Sequence, residues 1–147
     1  LDAAIIFSDI LLIPDAMGAS VRFEEGVGPV LKKIKTKRLI DCQHSQTIER
    51  LNNVYESIKE TRKRLSWDKS LIGFAGAPWT LLCYMLGNNE KNIKDKLKSL
   101  NKHPKNDIDC LIDVLILLVS KHLIKQIHSG ADIVQIFDSF APQASPY

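Results

Sequence analysis

Apolar residues along this chain of 147 residues fall into short unbroken runs and longer stretches with helical spacing, and the two kinds alternate. Ala3–Phe7, Ser70–Ala75 and Ala131–Phe137 are runs of strand length, rich in Ile, Val and Phe and bounded by Gly, Pro or Ser. Such runs predict strands buried on both faces of a parallel sheet. Between the first two, Ile48, Leu51, Tyr55, Ile58, Arg62 and Leu65 recur at the spacing of one helix face, with Arg and Lys between them. Pro78 suits the first turn of a second helix that Gly87 ends, and Ile93, Leu97 and Leu100 mark a third that stops near Pro104. A longer helix is predicted from about Asp107 to Ser129 on Ile108, Leu111, Leu115, Leu118 and Val119, with Gly130 as its C-terminal cap. His122 and His128 lie on different faces of that helix and read as surface residues. After the first strand, Gly26, Gly28 and Pro29 mark a turn, and Val21–Val30 reads as a hairpin.

Strand, helix, strand, helices, strand is the β/α pattern of a parallel sheet, either an open doubly wound sheet or part of an eight-stranded barrel. The strands follow one another at about 65 residues, against roughly 30 per βα unit in a barrel of typical size, so the connections carry insertions. No repeat, linker or low-complexity tract divides residues 1–147, which read as part of one domain. In both architectures ligands bind at the carboxyl ends of the strands. Asp9, the segment from Gly73 to Trp79, and Ser139 fall at those ends.

Composition narrows the partners. With 45% hydrophobic and 25% charged residues the chain is an ordinary globular domain, and a net charge of +3 from 20 basic and 17 acidic residues makes no electrostatic case for nucleic acid or a membrane surface. The run Lys32 to Arg38 is short and reads as a solvated loop. Cys42, Cys83 and Cys110 form no CxxC pair and fit a reducing cytoplasm; Cys42 and His44 lack the second pair that a zinc site needs. The apolar stretch from Leu111 to Val119 is too short to span a bilayer and contains Asp113. The chain opens on Leu1 inside an apolar segment, which reads as a piece of something longer.

Asp9 is the unusual residue. Burying an ionised carboxylate costs several kcal/mol, on the order of the figures for uncompensated buried charge, unless partners offset it. On its own Asp9 reads as a structural strand-end carboxylate, Tyr84 as a helix-packing tyrosine and Ser139 as a cap or turn residue. Together the segments "LDAAIIFSDILLIPDAMG", "LIGFAGAPWTLLCYML" and "GADIVQIFDSFA" resemble, in order and spacing, three signature blocks of the uroporphyrinogen decarboxylase family.

The resemblance implies a partial (β/α)8 barrel and an enzyme that converts four acetate side chains of uroporphyrinogen III to methyls, giving coproporphyrinogen III in haem biosynthesis. It implies no metal or organic cofactor, and a homodimer for the complete enzyme. Asp9 of "FSDI" matches the family aspartate that contacts the pyrrole N–H groups, Tyr84 of "PWTLLCY" the tyrosine near the reacting acetate, and Ser139 of "FDSF" the hydroxyl residue that holds a substrate carboxylate. Phe7, Phe74 and Phe137 would wall the macrocycle, while Asp15 and Asp138 read as structural. The arginine-rich substrate loop of the family is not among these residues, so the isolated chain is expected to be inactive. "YMLGNN" lacks the acidic residue usual soon after the tyrosine, Phe140 and Pro142 replace an aromatic or His and a Gly, and Arg22 replaces a hydrophobic or tyrosine residue. Two other readings stand beside the decarboxylase: a corrinoid or thiol methyltransferase of the same superfamily, and a non-catalytic fragment.

Overall fold

A computed structural model describes residues 2–26, 28–31, 39–40, 44–87 and 105–141. The run Lys32 to Arg38, Cys42, the helix expected at Ile93 to Leu100, and Pro142 lie outside the described residues. The three apolar runs form one parallel sheet: β1 (Ala3–Ile5), β4 (Ser70–Gly76) and β5 (Ile133–Phe137), in the order β1-β4-β5. Ala3 pairs with Ser70 and Ile5 with Ile72 on one side of β4, and Ile72 pairs with Ile133 and Gly76 with Phe137 on the other. The expected hairpin is present as β2 (Val21–Glu24) and β3 (Gly28–Leu31), antiparallel, with Gly26 at φ 73° and Gly28 at φ 89° in its turn.

After β1 the chain folds into a short helix α1 (Leu12–Pro14) that runs into a π-helical turn over Asp15–Ala19. Gly18 at φ 101° ends this turn, Asp15 Oδ1 accepts the Val21 N–H at 3.0 Å, and Arg50 donates to the Ala16 carbonyl at 2.7 Å. The stretch predicted as one covering helix is two, α2 (His44–Glu49) and α3 (Asn52–Arg64), broken at Arg50 and Leu51. Pro78 opens α4 (Pro78–Gly87), and the long helix α5 spans Lys105–His128. Gly130, at φ 112°, turns the chain from α5 into β5, as the glycine cap predicts.

The helices cover one face of the sheet. Ile58 of α3 packs with Leu71 and Ala131 beneath Ala4 and Ile6. A larger core joins Leu11, Ile13 and Met17 to Leu81 and Leu82 of α4 and to Leu111, Leu115, Leu118 and Val119 of α5. Burial of each such leucine contributes roughly 1.5–3 kcal/mol. His122 corrects its surface assignment: it is buried in this layer and shares a hydrogen bond of 2.9 Å with Tyr55 of α3. The other face carries Ile5, Ile133 and Phe137, all exposed, so β1 and β5 are not buried on both faces as their apolar runs predict; β1 also ends at Ile5, and Phe7, on the segment beyond it, is exposed as well. No helix among the described residues is long and apolar enough to cross a membrane.

The ends of β4 and β5 away from α4 are fastened by one side chain. Arg62 donates to the carbonyls of Leu65, Ser66 and Lys69 and to Asp132 Oδ2 at 2.9 Å. Asp132 Oδ2 also accepts the Leu71 N–H at 2.7 Å, and the Asp132 N–H donates to the Leu71 carbonyl at 2.8 Å.

Candidate functional site

The carboxyl ends of all three parallel strands lie at one end of the sheet, as parallel pairing requires. Asp9 stands on the segment that leaves β1. It is half-buried, its Oδ1 accepts the Leu11 N–H at 2.7 Å, and its carbonyl accepts the Leu12 N–H at 3.2 Å. Asp9 therefore closes an Asx turn ahead of α1 through one carboxylate oxygen. Oδ2 has no hydrogen-bond partner among the described residues. The carboxylate is thus fixed in position without being neutralised by a basic side chain among them.

Beyond β4, Gly76 lets two segments come close. A Cβ there would lie 2.8 Å from Leu81 Cδ2 and 3.2 Å from the Ile10 carbonyl oxygen, so the end of β4, the start of α4 and the chain after Asp9 meet where a side chain would have to displace its neighbours. The helix that follows buries Thr80, Leu81, Leu82 and Cys83 and leaves Tyr84 half-buried. Burial, with the Asp138 charge adding to it, pushes the Cys83 thiol up to about 12, which makes this cysteine an inert packing group.

Beyond β5, residues 138–140 are clamped to α4. The Thr80 hydroxyl donates to Asp138 Oδ1 at 2.6 Å and accepts the Phe140 N–H at 3.3 Å; Trp79 Nε1 donates to the Phe140 carbonyl at 3.1 Å. Ser139, exposed, is bracketed by these bonds. The Phe140 ring meets the Tyr84 ring edge to face, with centroids 5.5 Å apart. Tyr84 and Ser139 are thereby joined through one residue, while Asp9 stands on the opposite, β1 side of β4. Asp138 ties the end of β5 to α4 through Thr80, and Asp15 holds the π-helical turn against Val21.

An aromatic row bridges the two sides. The Phe74 ring on β4 lies 5.5 Å from Phe137 on β5 in an edge-to-face arrangement, and 6.2 Å from Phe7 on the segment leading to Asp9. Phe74 is buried, whereas Phe7 and Phe137 are open. The three rings are inclined to one another and only the outer two are open; Asp9 follows Phe7 by two residues and Ser139 follows Phe137 by two.

Four supporting side chains carry no sequence mark of the contacts they make. Thr80 and Trp79 sit inside the "PWT" segment without any pattern that marks them as a clamp. His122 and Gln126 continue the spacing of Leu111, Leu115, Leu118 and Val119, so the period itself carried the signal that both face inward.

Residues 1–147 match the family described as uroporphyrinogen decarboxylase (URO-D) throughout. The uroporphyrinogen decarboxylase of Orientia tsutsugamushi (strain Ikeda) is 46% identical over 146 residues, covering 95% of this chain and 41% of that protein. Those of Rickettsia bellii and Nitratiruptor sp. are 44% and 45% identical, over 95% of this chain and 41% and 42% of theirs. The chain therefore spans about two-fifths of the length of the curated relatives it matches. Among solved structures, a methyltransferase from Methanosarcina mazei superposes with a TM-score of 0.67 at 16% identity, over 99% of this chain and 43% of that one. That likeness speaks for the mixed α/β fold with its parallel sheet. On the match over its whole length and on these relatives, the chain belongs to the uroporphyrinogen decarboxylase family.

Proposed function

We propose that this chain is part of an enzyme that decarboxylates uroporphyrinogen III to coproporphyrinogen III, and that residues 1–147 contribute three strands to a single (β/α)8 barrel domain. The observation that carries this reading is the row formed by Phe74 and Phe137 on β4 and β5 and by Phe7 on the segment leaving β1, with Asp9 two residues beyond Phe7. A tetrapyrrole is broad, apolar in its ring system and rich in N–H donors at its centre. An aromatic surface with a carboxylate at its end suits it.

Loss of carbon dioxide from an acetate arm breaks a carbon–carbon bond and leaves its electron pair on the adjacent carbon. A pyrrole protonated at its α-carbon accepts that pair into the ring, so the substrate serves as its own electron sink and the chemistry calls for no metal or organic cofactor. Protonation of the exocyclic carbon gives the methyl, and loss of the α-proton restores the pyrrole. The cationic ring needs an anion nearby. Asp9, acceptor-only when ionised, takes pyrrole N–H bonds and stabilises the positive charge, an interaction far stronger in a water-poor site than in bulk solvent. Tyr84 hydrogen-bonds near the reacting acetate and Ser139 holds a substrate carboxylate, their spacing kept by the clamp through Thr80 and Phe140. The identity to decarboxylases at 41–46% favours this reaction over the methyltransferase alternative. A homodimer in the cytoplasm is the expected working form of the complete protein.

Anaerobic incubation of the full gene product with uroporphyrinogen III, followed by chromatography of the oxidised porphyrins, tests the reading. Stepwise loss of acetate carboxyls to coproporphyrin is the expected result. A folded protein that binds the substrate and removes no carboxyl overturns it.

A further inference from the structure

The two edges of β4 are filled differently. Along a parallel strand, alternate residues turn their N–H and C=O toward opposite neighbours. Leu71 and the residue after the strand, Ala77, bond to the β5 side, through the Asp132 N–H and the Phe137 carbonyl. Ser70, Ile72, Phe74 and Gly76 therefore face β1. The Ser70 N–H donates to the Asp2 carbonyl at 3.3 Å, and Ile72 pairs with Ile5, where the β1 ladder ends. At Gly76 the chain has returned, with the Ile10 carbonyl against the strand. Phe74 lies between, at a height where the chain from Ile6 to Asp9 has left the sheet.

Gln126 fills that rung from the helix layer. Its Oε1 accepts the Phe74 N–H at 2.9 Å and its Nε2 donates to the Phe74 carbonyl at 2.9 Å, which fixes the orientation of the amide. The side chain is buried and meets both polar groups of Phe74 as a neighbouring peptide would. Gly73 makes the passage: a Cβ there would run into the Gln126 amide and lie 3.2 Å from its Cδ. Continuing the observed register, Ile6 and Phe7 would pair with Gly73 and Phe74 if the rung were vacant.

We propose that Gln126 is a positioning residue for Asp9: its carboxamide replaces a strand partner at Phe74 and so holds the seam between β1 and β4 open where the Asp9 segment must stand clear of the sheet. Phe74, fixed by the same two bonds, is the centre of the aromatic row. The inference rests on the role of Asp9 proposed above.

The test uses the full gene product and three single variants, Gln126→Met, Gly73→Ala and Asp9→Asn, together with the double variant Gly73→Ala/Gln126→Met. Gln126→Met keeps length and removes both bonds; Gly73→Ala expels the amide while leaving Gln126 in place. Each should lower kcat by roughly tenfold to a hundredfold, the scale for moving a reacting group by about 1 Å, with KM within about twofold of the parent. The double variant should be no worse than the poorer single one, because both act at one seam. Hydrogen exchange at residues 6–8 should slow in either variant as the segment pairs with β4. Should Gln126→Met not fold, Gly73→Ala carries the same comparison. An inactive Asp9→Asn beside Gln126→Met and Gly73→Ala that retain parental kcat and exchange overturns the proposal alone. A fully active Asp9→Asn overturns the reading of Asp9, and the proposal with it.

Discussion

Tyr55 of α3 and His122 of α5 share a hydrogen bond of 2.9 Å between two almost fully buried rings whose centroids lie 5.5 Å apart. Burial pushes the tyrosine up to about 12 and the histidine down to about 4, so both are neutral across the physiological range. This pair closes the helix layer behind the sheet, and it has a consequence for acid stability.

Unfolded, His122 takes its proton near pH 6.5; folded, it resists until about pH 4. Its contribution is complete above pH 6.5 and is lost as the pH falls toward 4, because the unfolded chain binds the extra proton throughout that window. The loss should total roughly 3 kcal/mol at about 1.4 kcal/mol per pH unit. Tyr55 acts at the other end, where stability falls as the pH rises from 10 through about 12. Urea midpoints measured between pH 7 and pH 4.5 check the acid limb. His122→Gln keeps a partner for the tyrosine hydroxyl without titrating there and should flatten that limb.

Asp9→Asn retains an oxygen to accept the Leu11 N–H and removes only the charge. Thermal stability of the full gene product should hardly change. Turnover should drop by about a hundredfold or more, the scale for losing one preorganised electrostatic stabiliser, with a much smaller effect on substrate binding. Parallel determination of Tm, kcat and KM separates the two outcomes.

Tyr84→Phe and Ser139→Ala each remove one hydroxyl from the far end of the aromatic row. Each should cost about 0.5–3 kcal/mol of transition-state stabilisation, depending on whether the partner is charged. Porphyrins with five to seven carboxyls should then accumulate during turnover. Chromatographic time courses identical to the parent would remove both residues from the site.

Thr80→Val replaces the clamp hydroxyl with a methyl of similar shape and leaves Asp138 Oδ1 and the Phe140 N–H without their partner. Unfolding free energy should fall by about 0.5–1.5 kcal/mol, because the exposed Asp138 carboxylate regains water and only the Phe140 N–H is left buried. Phe140 should loosen against Tyr84, which proteolysis near residue 139 would report.

The 147-residue chain by itself exposes Phe7 to 88% and leaves Ile5, Ile133 and Phe137 open on one face of a sheet whose outer strands are edges. It should self-associate at micromolar concentration, measured by light scattering. A monodisperse monomer that unfolds cooperatively would contradict this.

All three parallel strands, the hairpin and the glycine turn before β5 could be read from apolar runs and turn residues alone, since those signals are local. Placement of Tyr84 against Phe140, next to Ser139, could not, because it depends on a threonine hydroxyl that reaches residues 138 and 140 only once β5 lies beside β4. The break at Arg50 and Leu51 was hidden by an apolar spacing that continues across it. His122 was misread for a different reason. Polar residues on a helix usually face water, and nothing local announces that a tyrosine on another helix supplies the missing partner.

Arg62 fastens the start of β4 to the start of β5 at the end of the sheet remote from Asp9, and the turn at Gly130 leaves no room for a Cβ beside its stem. Strand stagger is thus set by a guanidinium that has no part in the chemistry. Substitutions at the carboxyl ends of the strands can therefore proceed without shifting the stagger of β4 against β5. The same separation makes this end of the molecule the place to vary specificity, and the Arg62 end the place to leave alone.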